Sequence, residues 1–181
     1  MMKWEVYVMY RVFVLILVLV TVGAASAAVV TLPNTTQTTT FTATVSEQAN
    51  VSVPAGVAFA VTNVSASTAS SAQSVSATVI VLADGKGLRI EIAPNAAAFT
   101  KPAGTVTWAA SDISWNAATW TNGTGDAGTL SSAAWTRLVQ TTQNSASTTT
   151  TNLVFTLGDK ATVDRAGNHT LVCTWQIFVT N

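Results

Sequence analysis

The chain has 181 residues, of which 8 are Lys or Arg, 8 are Asp or Glu, one is His and one is Cys, and its formal net charge is zero. A neutral chain lacks the basic surface that binds phosphate backbones, so we expect no nucleic-acid partner. One His and one Cys cannot form a protein zinc site, an internal disulfide or a Cys–His nucleophile with an orienting group, and we expect no metal, no cofactor and no catalytic residues.

Residues 1–27 have the three parts of a secretory signal peptide. Lys3 and Arg11 make the start basic, residues 12–22 are an unbroken apolar run, and Ala25-Ser26-Ala27 offers a cleavage site. An uncleaved anchor is the alternative, since the run extended through residue 30 is barely long enough to span a bilayer. We expect cleavage before Ala28, so that the mature chain meets the membrane only during export and is secreted, extracellular or at the cell surface.

For residues 28–37 the sequence predicts an extended segment that serves as a strand and a linker. Its first residues, which we call the donor segment, form a β-prone apolar run that ends at Pro33: Ala28, Val29, Val30, Thr31 and Leu32. This run is either the first strand of the chain's own sandwich, a frayed end, or a donor strand. A donor strand inserts into another copy of the protein, where it takes the place of an edge strand that the sandwich of that copy lacks.

Residues 38–181 predict one all-β domain, a single β-sandwich of the jelly-roll or immunoglobulin-like type. The hydrophobic period is two, Val, Thr, Ile, Phe and Trp dominate, and no amphipathic helix with caps is found. We expect strands at residues 38–46, 57–64, 105–109, 113–115, 134–140, 152–157 and 170–179. We expect polar loops at residues 65–74, 120–132 and 141–151.

Residues 77–92 give the clearest local prediction, a β-hairpin. Residues 77–82 alternate in type, Asp84-Gly85-Lys86-Gly87 supplies a turn, and residues 88–92 alternate between aliphatic and charged side chains. Turn residues that tolerate positive φ between two alternating runs are typical of a hairpin.

The residues that could carry chemistry also have ordinary structural interpretations. Cys173 lies on the apolar face of the last predicted strand, which favours core packing over a reactive thiol. Asp159 and Asp164 flank a turn, where Asp is a common residue, and a glycosidase-like carboxylate pair is the alternative. That turn and residues 122–126 offer oxygen ligands for calcium, but without EF-hand spacing. We expect no enzymatic activity.

Two kinds of surface feature are predicted. Trp120 stands in a polar loop and is the tryptophan best placed for exposure, where it could stack on a sugar ring or contact a neighbouring subunit, but core packing is the favoured interpretation. Five Asn-x-Ser/Thr sequons mark candidate glycosylation sites of a secreted protein: Asn34, Asn50, Asn63, Asn122 and Asn168.

The order of these features resembles a known family. An export signal, an Ala-Val-Val start, a Thr-rich and charge-poor all-β body and the lack of a disulfide are similar to the archaeal bundling pilins and their bacterial relatives, the TasA/camelysin biofilm fibre proteins. The resemblance covers the whole chain in plan. It implies a homopolymeric extracellular filament joined by the donor segment, for adhesion and cell-cell bundling, with neighbouring filaments or cell-surface glycans as further partners. The metallopeptidase activity described for camelysin-type relatives is not implied, because His-Glu-x-x-His is missing.

The alternative function is a monomeric carbohydrate- or cell-wall-binding module. The closing strand, residues 171–177, is similar to the distal motif of bacterial WxL cell-wall-binding domains, and Trp120 would contact the sugar. Such a module stays monomeric, whereas a filament subunit polymerises. An enzyme that depends on one acid, such as Asp159, is the third hypothesis.

Overall fold

The computed structural model describes residue 36 and residues 38–181. The predicted signal peptide, the donor segment and Asn34 lie outside the described residues. The chain divides into two compact units, Met1–Thr42 and Ala43–Asn181, and all strands given below belong to the second unit. No helix in the described part of the chain is long and apolar enough to cross a membrane.

The second unit is built from β-strands, which confirms the predicted all-β class. Apart from one 3-10 turn at Ala110–Asp112, the described residues contain no helix. This agrees with a sequence rich in β-branched residues. The strands are β1 (Gln48–Ser52), β2 (Thr68–Ala69), β3 (Gln73–Val81), β4 (Gly87–Pro94), β5 (Ile113–Trp115), β6 (Gly123–Gly125), β7 (Gly128–Thr129), β8 (Thr136–Thr141), β9 (Thr148–Leu153), β10 (Phe155–Leu157) and β11 (Cys173–Thr180).

These strands form three antiparallel sheets, an arrangement consistent with a β-sandwich. The β3 sheet has the order β1-β3-β9, the β5 sheet has the order β2-β10-β5-β7, and the β4 sheet has the order β11-β4-β8-β6. Only Val154 separates β9 from β10, so the chain passes directly from the β3 sheet into the β5 sheet.

Side chains of all three sheets meet in one apolar core. Thr148 is buried among these apolar groups because its hydroxyl donates a hydrogen bond to the Thr121 carbonyl at 2.6 Å, which satisfies the polar atom. The largest side chains with less than 2% exposure are Ile90, Leu138, Leu153, Val75, Val139 and Thr148.

The predicted strands are confirmed in part. Residues 113–115 are β5, while β8 and β11 lie close to the predicted residues 134–140 and 170–179. Residues 152–157 hold the end of β9 and β10. The predictions at residues 38–46, 57–64 and 105–109 are wrong, because no strand forms there. The three predicted loops are also interrupted by strands: β2 and the start of β3 in the first, β6 and β7 in the second, and β9 in the third.

The predicted hairpin at residues 77–92 is wrong. β3 pairs with β1 and β9, whereas β4 pairs with β11 and β8, so the intervening turn connects two sheets. Val79 has a φ of 51°, uncommon for a β-branched residue, and the β1–β3 register shifts beside it. After this irregularity Ile80 is buried while Val79 and Val81 are exposed. The strand therefore changes the face that it presents to the core before the chain leaves the sheet.

Candidate functional site: an apolar groove beside the last strand

A groove of about 880 Å³ opens beside the first half of β11, and we call it the apolar groove. Its walls are residues 54–64 on one side and residues 163–175 on the other. Its floor consists of side chains that belong to the core: Ile92, Trp108, Ile113, Leu130, Phe155 and Leu157. These six side chains are only 2–7% exposed, so they are already buried, and the volume of the groove is in the usual range of binding pockets.

The first wall is an extended segment without a partner strand. Val57, Phe59 and Val61 are half-buried and alternate with exposed Ala58 and Ala60, the period of a strand. In the described part of the chain, no backbone group of residues 54–62 makes a hydrogen bond. Backbone groups of an extended chain are strong hydrogen-bonding groups, and a further strand could pair with them.

The second wall ends in the first residues of β11, an edge strand that pairs only with β4 among the described residues. The Asn95 N–H donates to the Val172 carbonyl at 2.8 Å, which makes these two residues a hydrogen-bonded antiparallel pair. Because hydrogen-bonded and non-hydrogen-bonded pairs alternate, the odd-numbered residues of β11 direct their N–H and C=O groups away from β4. Pro94, which has no N–H, stands opposite Cys173 in agreement with this register. The residues with outward backbone groups are Cys173, Trp175, Ile177 and Val179.

Asp164 anchors the loop that precedes β11. Its carboxylate accepts hydrogen bonds from the Thr105 N–H at 3.0 Å, the Val106 N–H at 3.3 Å and the Thr105 hydroxyl at 3.1 Å. The backbone donors, Thr105 first and Val106 next, lower the pKa of Asp164 to about 2. Gly104 has a φ of 81° and lies so close that a Cβ there would meet the carboxylate. The acid therefore holds the groove wall in place.

His169 anchors the same loop. Its Nε2 lies 3.1 Å from the Arg165 carbonyl oxygen, to which it can only donate, and its Nδ1 lies 2.7 Å from the Thr107 hydroxyl oxygen. The ring also meets Trp108 edge to face at 5.2 Å between centroids. The Trp108 indole N–H in turn donates to the Gly158 carbonyl at 2.9 Å. Both ring nitrogens of His169 are thus used to position the wall.

The candidate catalytic and calcium-binding groups are not brought together. Asp164 is occupied by backbone donors, and Asp159 at the other end of the turn is exposed. Asp126, in the other candidate calcium loop, forms a bidentate salt bridge with Arg137. This pairing raises the pKa of Arg137. Within the described residues, no group of three or more His, Cys, Asp or Glu side chains is placed to hold a metal ion. The absence of enzymatic activity stays a prediction.

Cys173 packs against the core, as its position in the sequence predicted. Its side chain lines the apolar groove, and burial raises the pKa of the thiol. The protonated form therefore prevails at neutral pH, which is the opposite of a reactive cysteine.

The structure confirms the core packing that was favoured for Trp120 and contradicts the alternative of a surface contact. Trp120 is only 7% exposed, and Gly125 lies so close to its ring that a Cβ there would come within 2.7 Å of the indole Cδ1. The indole Nε1 has no hydrogen-bond partner among the described residues. Trp120 is therefore not available for the candidate surface contact. Trp135, with 42% exposure, is the tryptophan that reaches the surface in this part of the chain.

The sequons within the described residues are all exposed: Asn50, Asn63, Asn122 and Asn168. The Asn122 amide donates to the Ser147 carbonyl at 3.1 Å, so its nitrogen is already engaged. Asn168 lines the apolar groove. Exposure permits modification of these residues, and glycosylation stays a prediction.

The sequence analysis identified a donor segment but did not find the groove. The two walls are about 100 residues apart in the chain, and the floor comes from several strands. The one local signal was the strand-like period of residues 57–61, which we took for a paired strand. The chain matches no protein-family model, no curated protein and no solved structure.

Proposed function

We propose that the mature chain is a structural subunit of an extracellular filament, a pilus or biofilm matrix fibre, that serves adhesion and cell-cell bundling. In this proposal the donor segment of one copy fills the apolar groove of the next copy. The observation that supports it most is the groove itself, an apolar cavity of about 880 Å³ lined by core side chains, beside an edge strand whose outward backbone groups have no partner among the described residues. The proposal includes a single sandwich of the jelly-roll or immunoglobulin-like type and a signal peptide whose removal frees the donor segment.

The pattern of the donor segment suits the groove. Five extended residues span roughly 17 Å, and the eight residues of β11 span roughly 26 Å at about 3.3 Å per residue. In a strand Ala28, Val30 and Leu32 share one face, while Val29 and Thr31 share the other. The face with three apolar residues is the one that fits an apolar floor, and Val30 is its centre.

The chain between the donor segment and β1 is long enough to connect two copies. Residues 33–47 span at most about 50 Å when extended. A strand that leaves its own domain and enters the next makes a head-to-tail contact, which propagates into a filament when the geometry does not close. Low charge, with 8 acids and 8 bases in 181 residues, reduces repulsion between stacked copies.

The same linker is also long enough to reach the groove of its own copy, which would give a monomer. We commit to a second copy because of the β11 edge. Monomeric β-proteins protect such edges with Lys, Pro, bulges or short strands. β11 has none of these in its eight residues, CTWQIFVT, and its pairing with β4 is continuous. An edge of this kind is suited to pair with a strand from another molecule.

The single Cys of the chain makes a direct test available. Cys173 lines the groove, and side chains on one face of paired strands have Cβ atoms about 4.5–5.5 Å apart, close to the separation that a disulfide needs. Cysteine is introduced singly at Ala28, Val30 or Leu32, and the secreted proteins are oxidised and run on non-reducing gels. We expect a reducible ladder of dimers and larger oligomers from at least one of these variants.

Matched controls decide what a ladder means. Val29→Cys and Thr31→Cys place the thiol on the outer face and should give no ladder, and Cys173→Ser should remove the ladder from every variant. A reducible cross-link within single chains would place the donor segment in its own groove and overturn the filament. The same holds if no inward-facing variant forms a ladder, or if the outer-face variants form it equally well.

A further inference from the structure

We propose that the outer surface of the β4 sheet carries a binding subsite for one neutral sugar ring, with Trp135 as its aromatic platform. This inference does not depend on the filament. Its basis is a shallow pocket of about 270 Å³ that is lined by Trp135, Ala93, Pro94, Asn95, Thr174 and the turn at residues 131–134. The volume is slightly below that of pockets for drug-sized ligands, so one ring fits better than a long chain.

The pairing of the strands explains why these residues meet. Thr174 stands opposite Ala93, and Ile92 stands opposite Thr136, so Trp135 follows one step further along the β8 side. Ile92 faces the core, and side chains alternate along a strand. Ala93 and the residues opposite it on the adjacent strands therefore face outward. A small Ala93 between Thr174 and Trp135 leaves an open floor between a hydroxyl and an indole.

Unused hydrogen-bonding groups surround this floor. The Thr174 hydroxyl donates to Asn95 Oδ1 at 2.7 Å, which leaves both N–H groups of the Asn95 amide without a partner in the described residues. The Trp135 indole N–H also makes no hydrogen bond there. Trp135 itself is positioned by a tight turn in which the Ala133 N–H donates to the Ser131 hydroxyl at 3.3 Å. The site therefore offers an exposed indole that follows a tight turn, and several free donors.

The chemistry of the lining selects a neutral sugar among small ligands. Within the part of the chain that the structure describes, no charged side chain lines the pocket, so neither an anion nor a cation would find a counter-charge. The negative face of an indole attracts the weakly positive C–H bonds on one face of a pyranose, and free amide and hydroxyl groups match its hydroxyls. Water competes for these contacts at an open surface, so we expect millimolar binding.

Saturation-transfer difference NMR tests this on the mature secreted protein, in whatever assembly state it adopts, because the signal is observed on the sugar. The probes are the methyl glycosides of glucose, galactose and mannose together with N-acetylglucosamine, and choline and glucuronate are the charged comparators. We expect transfer to the C–H groups of one ring face for at least one neutral probe. Trp135→Ala should lower the association constant by between about two- and tenfold, and Trp135→Phe should retain most of it.

The remaining measurements make each outcome decisive. Asn95→Ala should weaken binding without changing the melting temperature, whereas Val51→Ala, an exposed residue on β1, should change nothing. The proposal is overturned if no neutral probe binds, if Trp135→Ala binds as well as the parent chain, or if choline or glucuronate is the ligand that Trp135 favours.

Discussion

Replacing Val30 by Asp should stop polymerisation if the donor segment fills the apolar groove. Burial of a valine side chain contributes about 1.5–3 kcal/mol, and a carboxylate placed without a partner on a floor of Trp108, Phe155 and Leu157 adds a desolvation cost of similar or larger size. A total near 4 kcal/mol corresponds to a roughly thousandfold weaker junction between two copies. The assay is the concentration above which the mature protein sediments as fibres, with electron microscopy of the pellet.

Val29→Asp is the matched control for this prediction. It adds the same charge one residue away, on the face of the donor segment that would point outward, so the junction should weaken by less than about tenfold. A chain without residues 28–32 gives the reference for no polymer. Equal effects of the two aspartates would show that charge at the N-terminus, and not insertion of Val30, controls assembly. Fibres from Val30→Asp at the concentration of the parent chain would refute the groove as acceptor.

Two further predictions concern the stability of the domain. The folded pKa of Asp164 is lowered to about 2 from an ordinary value of 3.8, so its contribution to stability is complete above about pH 4 and is lost as the pH falls towards 2. Asp164→Asn should therefore lower the melting temperature most at pH 7, and a difference that persists undiminished near pH 2 would contradict this cause. Gly125→Ala should cost about 1–3 kcal/mol in chemical denaturation, because its Cβ would lie 2.3 Å from the Ala118 carbonyl oxygen and 2.7 Å from Trp120 Cδ1. Gly56→Ala, where no atom lies within 4 Å, is the control, and an equal loss there would point away from crowding.

The sequence predicted the class of the fold better than its pairing. The period of two identifies β11 and much of β4 and β8, because alternation is a property of each strand alone. Pairing is decided by other parts of the chain. β3 pairs with β1 and β9. The irregularity at Val79 comes from a positive φ, a backbone conformation that the sequence does not predict for a valine. Turn residues at 84–87 were therefore compatible with a hairpin and with a crossing between sheets.

Tryptophan exposure shows the same limit at the level of one side chain. The polar neighbours of Trp120 left a surface position open beside the favoured core packing, and Gly125 leaves room for the ring in the core. Trp135 was predicted to lie in a strand at residues 134–140, yet the adjacent Ala133 and Ala134 belong to a turn and the ring is 42% exposed. Local polarity could not predict either case, because burial depends on which distant residues pack against the ring.

β11 connects two features that an added strand could fill together, the apolar groove and the outer edge of the β4 sheet. Cys173 and Trp175 present their side chains to the apolar groove, and the same two residues direct their backbone groups away from β4. A strand paired to this edge would satisfy those backbone groups, and its inward side chains would enter the apolar groove. A small molecule or a loop could fill the groove, but neither would pair with the edge along its length. An extended apolar segment meets both requirements, and in this chain the donor segment has that composition, ends at a proline and precedes a linker long enough to reach another copy.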